Sequence, residues 1–329
     1  MSIQKMRCHN QGVSLKWISL GFIFFLLTSC QPVVDELDPI VRYSPPKKYI
    51  EHLPKAAFPE LSDLDLRQAW GKELLIGLSF AREHDFYRAI TAFKRALVLL
   101  PETLVQRELQ INYEMMLCYY LANKYTEAIE TFEDSRLFQA AQDFPAFQEL
   151  TLMLYDCYEK TNQPDKACSV LNLIHQEDPA EAQTLELSTA LSHADFAAIS
   201  LLSCGLPAEA SVNLFLADYQ QQAKSVRTAR ALNALLPGAG YLYVGQKKSA
   251  LTSFLLNSLF IAAAYQFFDR GNIAAGIITT SFELGWYIGG INGAGIEASQ
   301  YNHYLYQTEA EKMMTKEGLF PILRFEAAF

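Results

Sequence analysis

Apolar positions follow one pattern in the middle of the chain and another in its last third. Between 66 and 222 they favour amphipathic helices joined by short polar turns. The 20 residues of 249–268 carry no charge, and a helix of that length can cross the hydrocarbon core of a bilayer. A second apolar stretch, 273–291, follows the polar turn DRGN and contains one carboxylate, Glu283. The pattern predicts an all-α chain with a transmembrane helical hairpin in its last third.

The first 30 residues have the layout of an export signal. Lys5, Arg7 and Lys16 precede the apolar run WISLGFIFFLLTSC, which is too short for a typical span. The run ends in the letters LTSC, and these four residues resemble the lipobox of bacterial lipoproteins. The resemblance implies that the thiol of Cys30 is lipidated and that Cys30 becomes the mature N-terminus. An uncleaved signal anchor with an incidental cysteine is the alternative.

Residues 31–65 contain six prolines and little hydrophobic periodicity. A proline-rich segment of this kind predicts an extended tether rather than a folded unit. We therefore expect the folded part of the chain to begin near residue 66.

The segment that follows the tether resembles a tetratricopeptide (TPR) repeat. In its first unit the signature spacings hold Ile76, Gly77, Phe80, Ala89, Phe93, Ala96 and Pro101. Two later units match with Met115, Tyr119, Ala128 and Phe132, and with Leu154, Tyr158, Ala167, Leu171 and Pro179. They depart from the signature at Met116 and Tyr155, where a small residue is usual. A fourth helical pair is expected around Ala208, where the signature has faded.

The resemblance implies a TPR-like α-solenoid over 66–222. Such stacks bury a continuous core and leave a concave face free for a peptide or a helix, so we expect a protein partner to bind there. The polar residues at the turns between helices are expected to be solvated loop positions rather than catalytic groups.

The membrane module is predicted to span 223–305 and to begin with an elbow at 231–248. The elbow residues are Pro237, Gly238, Gly240, Tyr243 and Gly245. This P-G-x-G-x-x-Y-x-G pattern before two spans resembles a small bacterial membrane module found in envelope proteins that also carry TPR repeats. The resemblance implies membrane residence and no established activity.

A carboxylate inside a span is costly, so Glu283 is expected to face a polar partner. In a hairpin folded about DRGN, Asn257 lies at nearly the same depth. We therefore predict a hydrogen bond between Asn257 and Glu283, with Glu283 either protonated or in contact with a wet cavity.

The second predicted span carries two stripes of small residues. We assign Gly276, Glu283, Gly290 and Ala294 to the face against the first span. The other stripe consists of Ser281, Gly285, Gly289 and Gly293. This second stripe has two interpretations, namely packing within the hairpin or contact with another copy or another membrane protein.

Two signals disagree about topology. The lipobox places the repeats outside the cytoplasm, whereas Arg227, Arg230, Lys247 and Lys248 flank the first span on the repeat side, against Arg270 in the turn. Under the positive-inside rule those charges would place the repeats in the cytoplasm. We favour the lipobox because an export signal acts first.

Composition narrows the function classes. The 27 basic and 36 acidic side chains give a formal charge of −9, which disfavours nucleic-acid binding. No zinc spacing, phosphate-binding loop or hydrolase motif is present, so we expect no metal, no cofactor and no enzymatic activity. We expect Cys118, Cys157, Cys168 and Cys204 to be small buried residues, with a Cys157–Cys168 disulfide left open. The tail, 306–329, ends in Phe329 and is expected to have no barrel-related role.

The sequence therefore predicts a non-enzymatic TPR scaffold in the bacterial cell membrane, anchored by lipid at Cys30, with its repeats extracytoplasmic. Its expected role is to bind another envelope protein, with assembly or insertion of membrane proteins as the process. The alternative is a small transport or channel subunit that uses Glu283 and Asn257 in an oligomer.

Overall fold

The computed structural model describes residues 57–140, 143–326 and 329, together with 37, 39 and 41. Helices account for 78% of these described residues and none of them lies in a strand, which confirms the all-α class. The predicted signal peptide, Cys30 and most of the tether lie outside the described residues. Contacts divide the chain into a large unit, 38–219 with 307–329, and a small unit that includes 220–306.

The helices in chain order are α1 (Asp63–Arg67), α2 (Ala69–Arg82), α3 (Phe86–Leu99), α4 (Val105–Leu121), α5 (Tyr125–Glu133), α6 (Phe147–Lys160), α7 (Pro164–Glu177), α8 (Pro179–Ser192), α9 (Phe196–Leu202), α10 (Glu209–Gln222), α11 (Val226–Leu235), α12 (Ala239–Tyr243), α13 (Lys247–Asp269) and α14 (Ile273–Lys316). Short 3-10 turns occur at Arg136–Gln139 and Pro321–Arg324. From α2 to α9 each helix packs on the next, and α4 also touches α2 and α6.

Short polar side chains define several helix starts. Ser62 and Asp65 form a capping box, in which the Ser62 hydroxyl accepts from the Asp65 N–H at 3.2 Å and the Asp65 carboxylate accepts from the Ser62 N–H at 3.0 Å. Asp85 caps α3, Asp178 caps α8 and Asp195 caps α9 in the ordinary way, each by accepting a backbone N–H of the first turn. These caps place the helix boundaries where the chain must turn back on itself.

One turn geometry recurs four times in the large unit. His84, Asn123, Asn162 and Ala194 have left-handed backbone conformations, with φ between 54° and 61°. In each case the next residue donates its N–H to the carbonyl five residues earlier, at 2.8–3.0 Å, as Asp85 does to Phe80 and Lys124 to Tyr119. This is the bond that closes a helix C-terminus before the chain reverses. The large unit is therefore built from four helix-turn-helix pairs: α2–α3, α4–α5, α6–α7 and α8–α9.

The residue five positions after each turn is fully buried. It is Ala89, Ala128, Ala167 or Ile199, and each is at most 1% exposed. The first pair also approaches closely at Gly77, where an added Cβ would overlap the ring of Phe93. Ile76, by contrast, is 44% exposed.

The fourth pair differs from its sequence-based prediction. It was expected around Ala208, from helices over 195–219, but α9 packs against α8 and therefore pairs with the helix before it. The reason is that Asp178 and Pro179 start a new helix, α8, directly after α7. The fourth pair therefore consists of α8 and α9 and begins earlier in the chain than the sequence predicted.

The small unit is held together by its elbow. Gly238 has φ 91° and lies so close to the backbone of Ala250 that no Cβ fits, and its N–H donates to Asn233 Oδ1 at 2.9 Å. Tyr243 packs against a cluster of Val226, Ala229, Val244 and Ala298. Positive φ at Gly238 and Gly245 explains why glycine occupies both ends of α12.

Candidate functional site

The large unit brings together a surface formed by the first helix of each pair. We call it the first-helix face and define it by Arg82 on α2, Tyr120 on α4, Glu149 on α6 and Glu181 on α8. Glu149 and Glu181 occupy equivalent places, because each lies 13 residues before the turn residue of its own pair, Asn162 or Ala194. Both side chains are buried, with residue exposures of 4% and 5%.

The C-terminal segment of the chain lies on this face. The 3-10 turn Pro321–Arg324 packs on α6, and Phe325 stacks on Tyr120 with ring centroids 6.0 Å apart. Arg324 Nε donates to both carboxylate oxygens of Glu181 at 3.0 Å, and its Nη2 bonds the same carboxylate. On this side of the helical pairs, the chain's own C-terminal segment occupies the face.

Buried carboxyl groups lie beside this face. Glu114 on α4 is fully buried, with the side chain of Gln110 on the same helix beside its carboxyl group. Removal from water raises the pKa of Glu114 to about 8, although the positive charge of Arg82 partly opposes the rise. Burial also raises the pKa of Asp156, which accepts a hydrogen bond from the Tyr120 hydroxyl at 2.9 Å. Periodicity alone did not single out Glu114, since nothing in the sequence distinguishes it from a solvated glutamate.

The predicted signature residues of the later units lie at the interfaces between helices or near them. Tyr158 and Ala167 are buried, whereas Tyr119 and Phe132 are half-buried. Pro101 and Pro179 are exposed, each beyond the end of the second helix of its pair. Pro101 follows the extended residue Leu100, which is the conformation that a residue before proline favours.

The small unit has an inside-out distribution of side chains, in which small and polar residues are buried and large apolar residues are exposed. The buried residues of α13 are small or polar, namely Ala250, Ser253, Asn257 and Ala264. Large apolar residues such as Leu259 and Phe282 point outward and are 65% and 69% exposed. Among the described residues, α13 is the one helix long and apolar enough to cross a membrane, and most of its apolar stretch is not buried within the protein. The second predicted span, 273–291, forms the first part of α14 and does not reach that apolarity.

Gly276, Glu283, Gly290 and Ala294 are the positions expected to face 249–268. Gly276 lies against the ring of Phe268, and a Cβ on Gly290 would come 3.9 Å from Ser253 Oγ. Later positions of α14 therefore lie beside earlier positions of α13, so the two helices run in opposite directions. Glu283 is 8% exposed.

The predicted hydrogen bond between Asn257 and Glu283 is wrong. Asn257 Nδ2 donates to the Ser253 carbonyl of its own helix at 2.6 Å, and neither Asn257 Oδ1 nor the Glu283 carboxyl oxygens have a partner among the described residues. The cause is register: because Gly290 lies level with Ser253, Asn257 lies about 5 Å along the helix axis from the level of Glu283.

The residues of the second small-residue stripe have two different environments. Ser281 is exposed, and a Cβ on Gly289 would meet nothing within 4 Å. At the other end, Gly293 lies against the hydroxyl of Tyr241 in the elbow. Gly293 therefore packs within the chain, whereas Ser281 and Gly289 present an open surface.

The described cysteines are all free thiols. Cys118 and Cys157 are buried as expected, but Cys168 and Cys204 are exposed, and no Cys157–Cys168 disulfide forms. In the part of the chain that the structure describes, no three His, Cys, Asp or Glu side chains are grouped so that they could hold a metal ion.

No family model, curated protein or solved structure matches this chain.

Proposed function

We propose that this protein is a non-enzymatic, membrane-anchored scaffold of the bacterial envelope, in which a TPR-like solenoid is followed by a transmembrane helical hairpin. The observation that carries the proposal is the fourfold helix-turn-helix repeat of the large unit, with equivalent hydrogen bonds at all four turns. Repeats of this kind present extended surfaces to other proteins. The process we propose is assembly or insertion of envelope membrane proteins.

The inside-out small unit supports the membrane anchor. Contiguous exposed apolar surface of this extent is unfavourable in water, whereas lipid acyl chains can cover it. Small residues between the two helices allow their backbones to approach closely, as in other membrane helix pairs. Lipidation of Cys30 would add a second anchor.

Carbonate extraction of membranes tests the anchor. The Cys30→Ala variant should stay in the pellet, because α13 holds it in the bilayer. Adding Leu255→Lys and Leu259→Lys, two exposed positions of α13, should release it. Release of Cys30→Ala by carbonate alone would contradict the proposed hairpin.

Alkyne fatty-acid labelling tests the lipid. Label should be lost in Cys30→Ala and retained in Cys8→Ala, which is the matched control in the same leader. Label that persists in Cys30→Ala would exclude Cys30 as the lipidation site.

The exposed native thiols report topology. A membrane-impermeant maleimide should label Cys168 and Cys204 in cells with a permeabilised outer membrane if the repeats are extracytoplasmic. The Cys168→Ser, Cys204→Ser double variant is the control for labelling elsewhere. Labelling only after the inner membrane is opened would place the repeats in the cytoplasm, as Lys247 and Lys248 suggest.

A transport or channel subunit is the second candidate, and it is favoured by the buried polar atoms of Asn257 and Glu283 that have no partner within the described part of the chain. Flux through vesicles containing the purified protein distinguishes the two. A conductance that disappears in Glu283→Gln would favour transport over the scaffold.

A further inference from the structure

The tail leaves the end of α14 through a defined turn. Gly318 has φ 65°, and the next N–H, that of Leu319, donates to the Met314 carbonyl at 2.9 Å. Beyond this turn Phe320, Pro321 and Ile322 are buried in the large unit. The segment after Gly318 is therefore a short irregular peptide that lies on a helical surface.

Two equivalent glutamates of the first-helix face hold the tail by its polar groups. Arg324 Nε donates to both carboxylate oxygens of Glu181 and Arg324 Nη2 donates to Oε2, and the Glu181 side chain is only 6% exposed. Glu149, one helical pair earlier, accepts the backbone N–H of Glu326 at 3.2 Å. Removing the cation from a buried ion pair is strongly unfavourable, so the Glu181 carboxylate favours a ligand that brings a cation to this face.

Aromatic contacts hold the tail at two further points. Phe325 is 5% exposed and stacks on Tyr120, and Phe329 lies 6.4 Å from the ring of Phe86. Arg82 Nη2 also donates to the backbone oxygen of Phe329 at 3.3 Å. The described tail residues thus contact the first helix of every pair: Arg324 contacts α8, Glu326 α6, Phe325 α4 and Phe329 α2.

From these contacts we infer that the first-helix face is a peptide site for an arginine followed by phenylalanine, and that the tail is its internal occupant. The partner that this site fits is a protein segment with the same chemistry, and it binds by exchanging with the tail. The inference rests on the proposed scaffold function and specifies which face binds the partner and what the partner must carry.

A cleavable tail gives a direct test with the full chain in detergent. A protease site inserted directly after Gly318 leaves the glycine in place, as its φ of 65° requires, and lies at a position with no atoms within 4 Å of where a Cβ would be. After cleavage and washing, a fluorescent peptide of residues 319–329 is added and its anisotropy is measured. The peptide should bind the cleaved chain at least about 10-fold more tightly than the uncleaved chain, because the internal tail competes at high effective concentration.

Peptide variants separate specific from general binding. Arg324→Glu in the peptide should weaken binding roughly 100-fold, because it leaves the Glu181 carboxylate buried and unpaired. Glu326→Gln is the matched control: only the backbone of Glu326 contacts the face, and its side chain is exposed, so binding should not change. Combining Glu181→Arg in the chain with the Arg324→Glu peptide should restore part of the loss.

Three outcomes would overturn the inference. Equal binding to cleaved and uncleaved chains would place the peptide elsewhere. A cleaved tail that excess peptide does not displace within a day would make it a permanent part of the core. Loss of helical circular dichroism on cleavage would lead to the same conclusion. In each case carbonate extraction and lipid labelling are unaffected, so the proposed scaffold would remain open to its own tests.

Discussion

Glu114 allows the pH dependence of stability to be worked out from one buried group. Its carboxyl group is fully buried in α4, and burial raises its pKa from 4.5 to about 8 in the folded protein. The folded state therefore keeps a proton that the unfolded state loses above about pH 4.5. The contribution of Glu114 to the free energy of unfolding is therefore at its full value below about pH 4.5, and it decreases as the pH rises toward 8.

The magnitude follows from the two pKa values. With a pKa of 4.5 in the unfolded chain and about 8 in the folded one, the free energy of unfolding falls by about 2–3 kcal/mol between pH 5 and pH 7. It falls by about 1 kcal/mol more between pH 7 and pH 8. Glu114→Gln keeps the shape of the side chain and cannot ionise, so the variant should lack this part of the pH dependence.

Urea unfolding at pH 5, 7 and 8, followed by tryptophan fluorescence, measures the difference. Trp70 lies in α2 and is 3% exposed, and Trp17→Phe with Trp286→Phe makes it the sole reporter of the large unit. Relative to this background, Glu114→Gln should gain stability as the pH rises, whereas the exposed control Glu130→Gln should not. Parallel pH curves for the background and Glu114→Gln would refute the assignment of a neutral buried carboxyl.

Three further substitutions test close packing and the open stripe. Gly77→Leu should lower the free energy of unfolding of the large unit by about 1–3 kcal/mol or more, measured by the same fluorescence assay, because the new side chain overlaps Phe93. Gly238→Ala should lower the melting temperature in detergent, since φ is 91° and the Cβ overlaps the backbone of Ala250. Gly289→Leu should leave that melting temperature unchanged but reduce chemical crosslinking between copies in membranes, if the open stripe is a homo-oligomer contact.

The controls for these substitutions come from the same helices and turns. Ser79→Leu, at an exposed position of α2, should leave stability nearly unchanged, and a loss equal to that of Gly77→Leu would show that the site of the change does not matter. For Gly289, undiminished crosslinking after Gly289→Leu would count against an oligomer through this stripe.

Local patterns in the sequence predicted most of the secondary structure. Hydrophobic spacing predicted the helices, and the structure shows that Asp85, Asp178 and Asp195 cap three of them through bonds to nearby backbone N–H groups. Glycines in the elbow occur where φ is positive, which is a constraint that the chain carries locally. These features depend on residues within about five positions of one another, so the sequence alone determines them.

Only the tertiary structure decided how distant segments meet. The register between α13 and α14 separates Asn257 from Glu283. A displacement of one helix along the other by a few residues leaves the composition unchanged, so the sequence did not predict it. The pairing of Arg324 with Glu181 joins residues 143 positions apart, and no local pattern predicts which buried carboxylate receives a given arginine. The sequence by itself thus determined an all-α chain with a long apolar helix. The occupied first-helix face depends on packing over the whole large unit, because contacts of long sequence separation are selected by the shape and burial of the assembled helices rather than by local propensity.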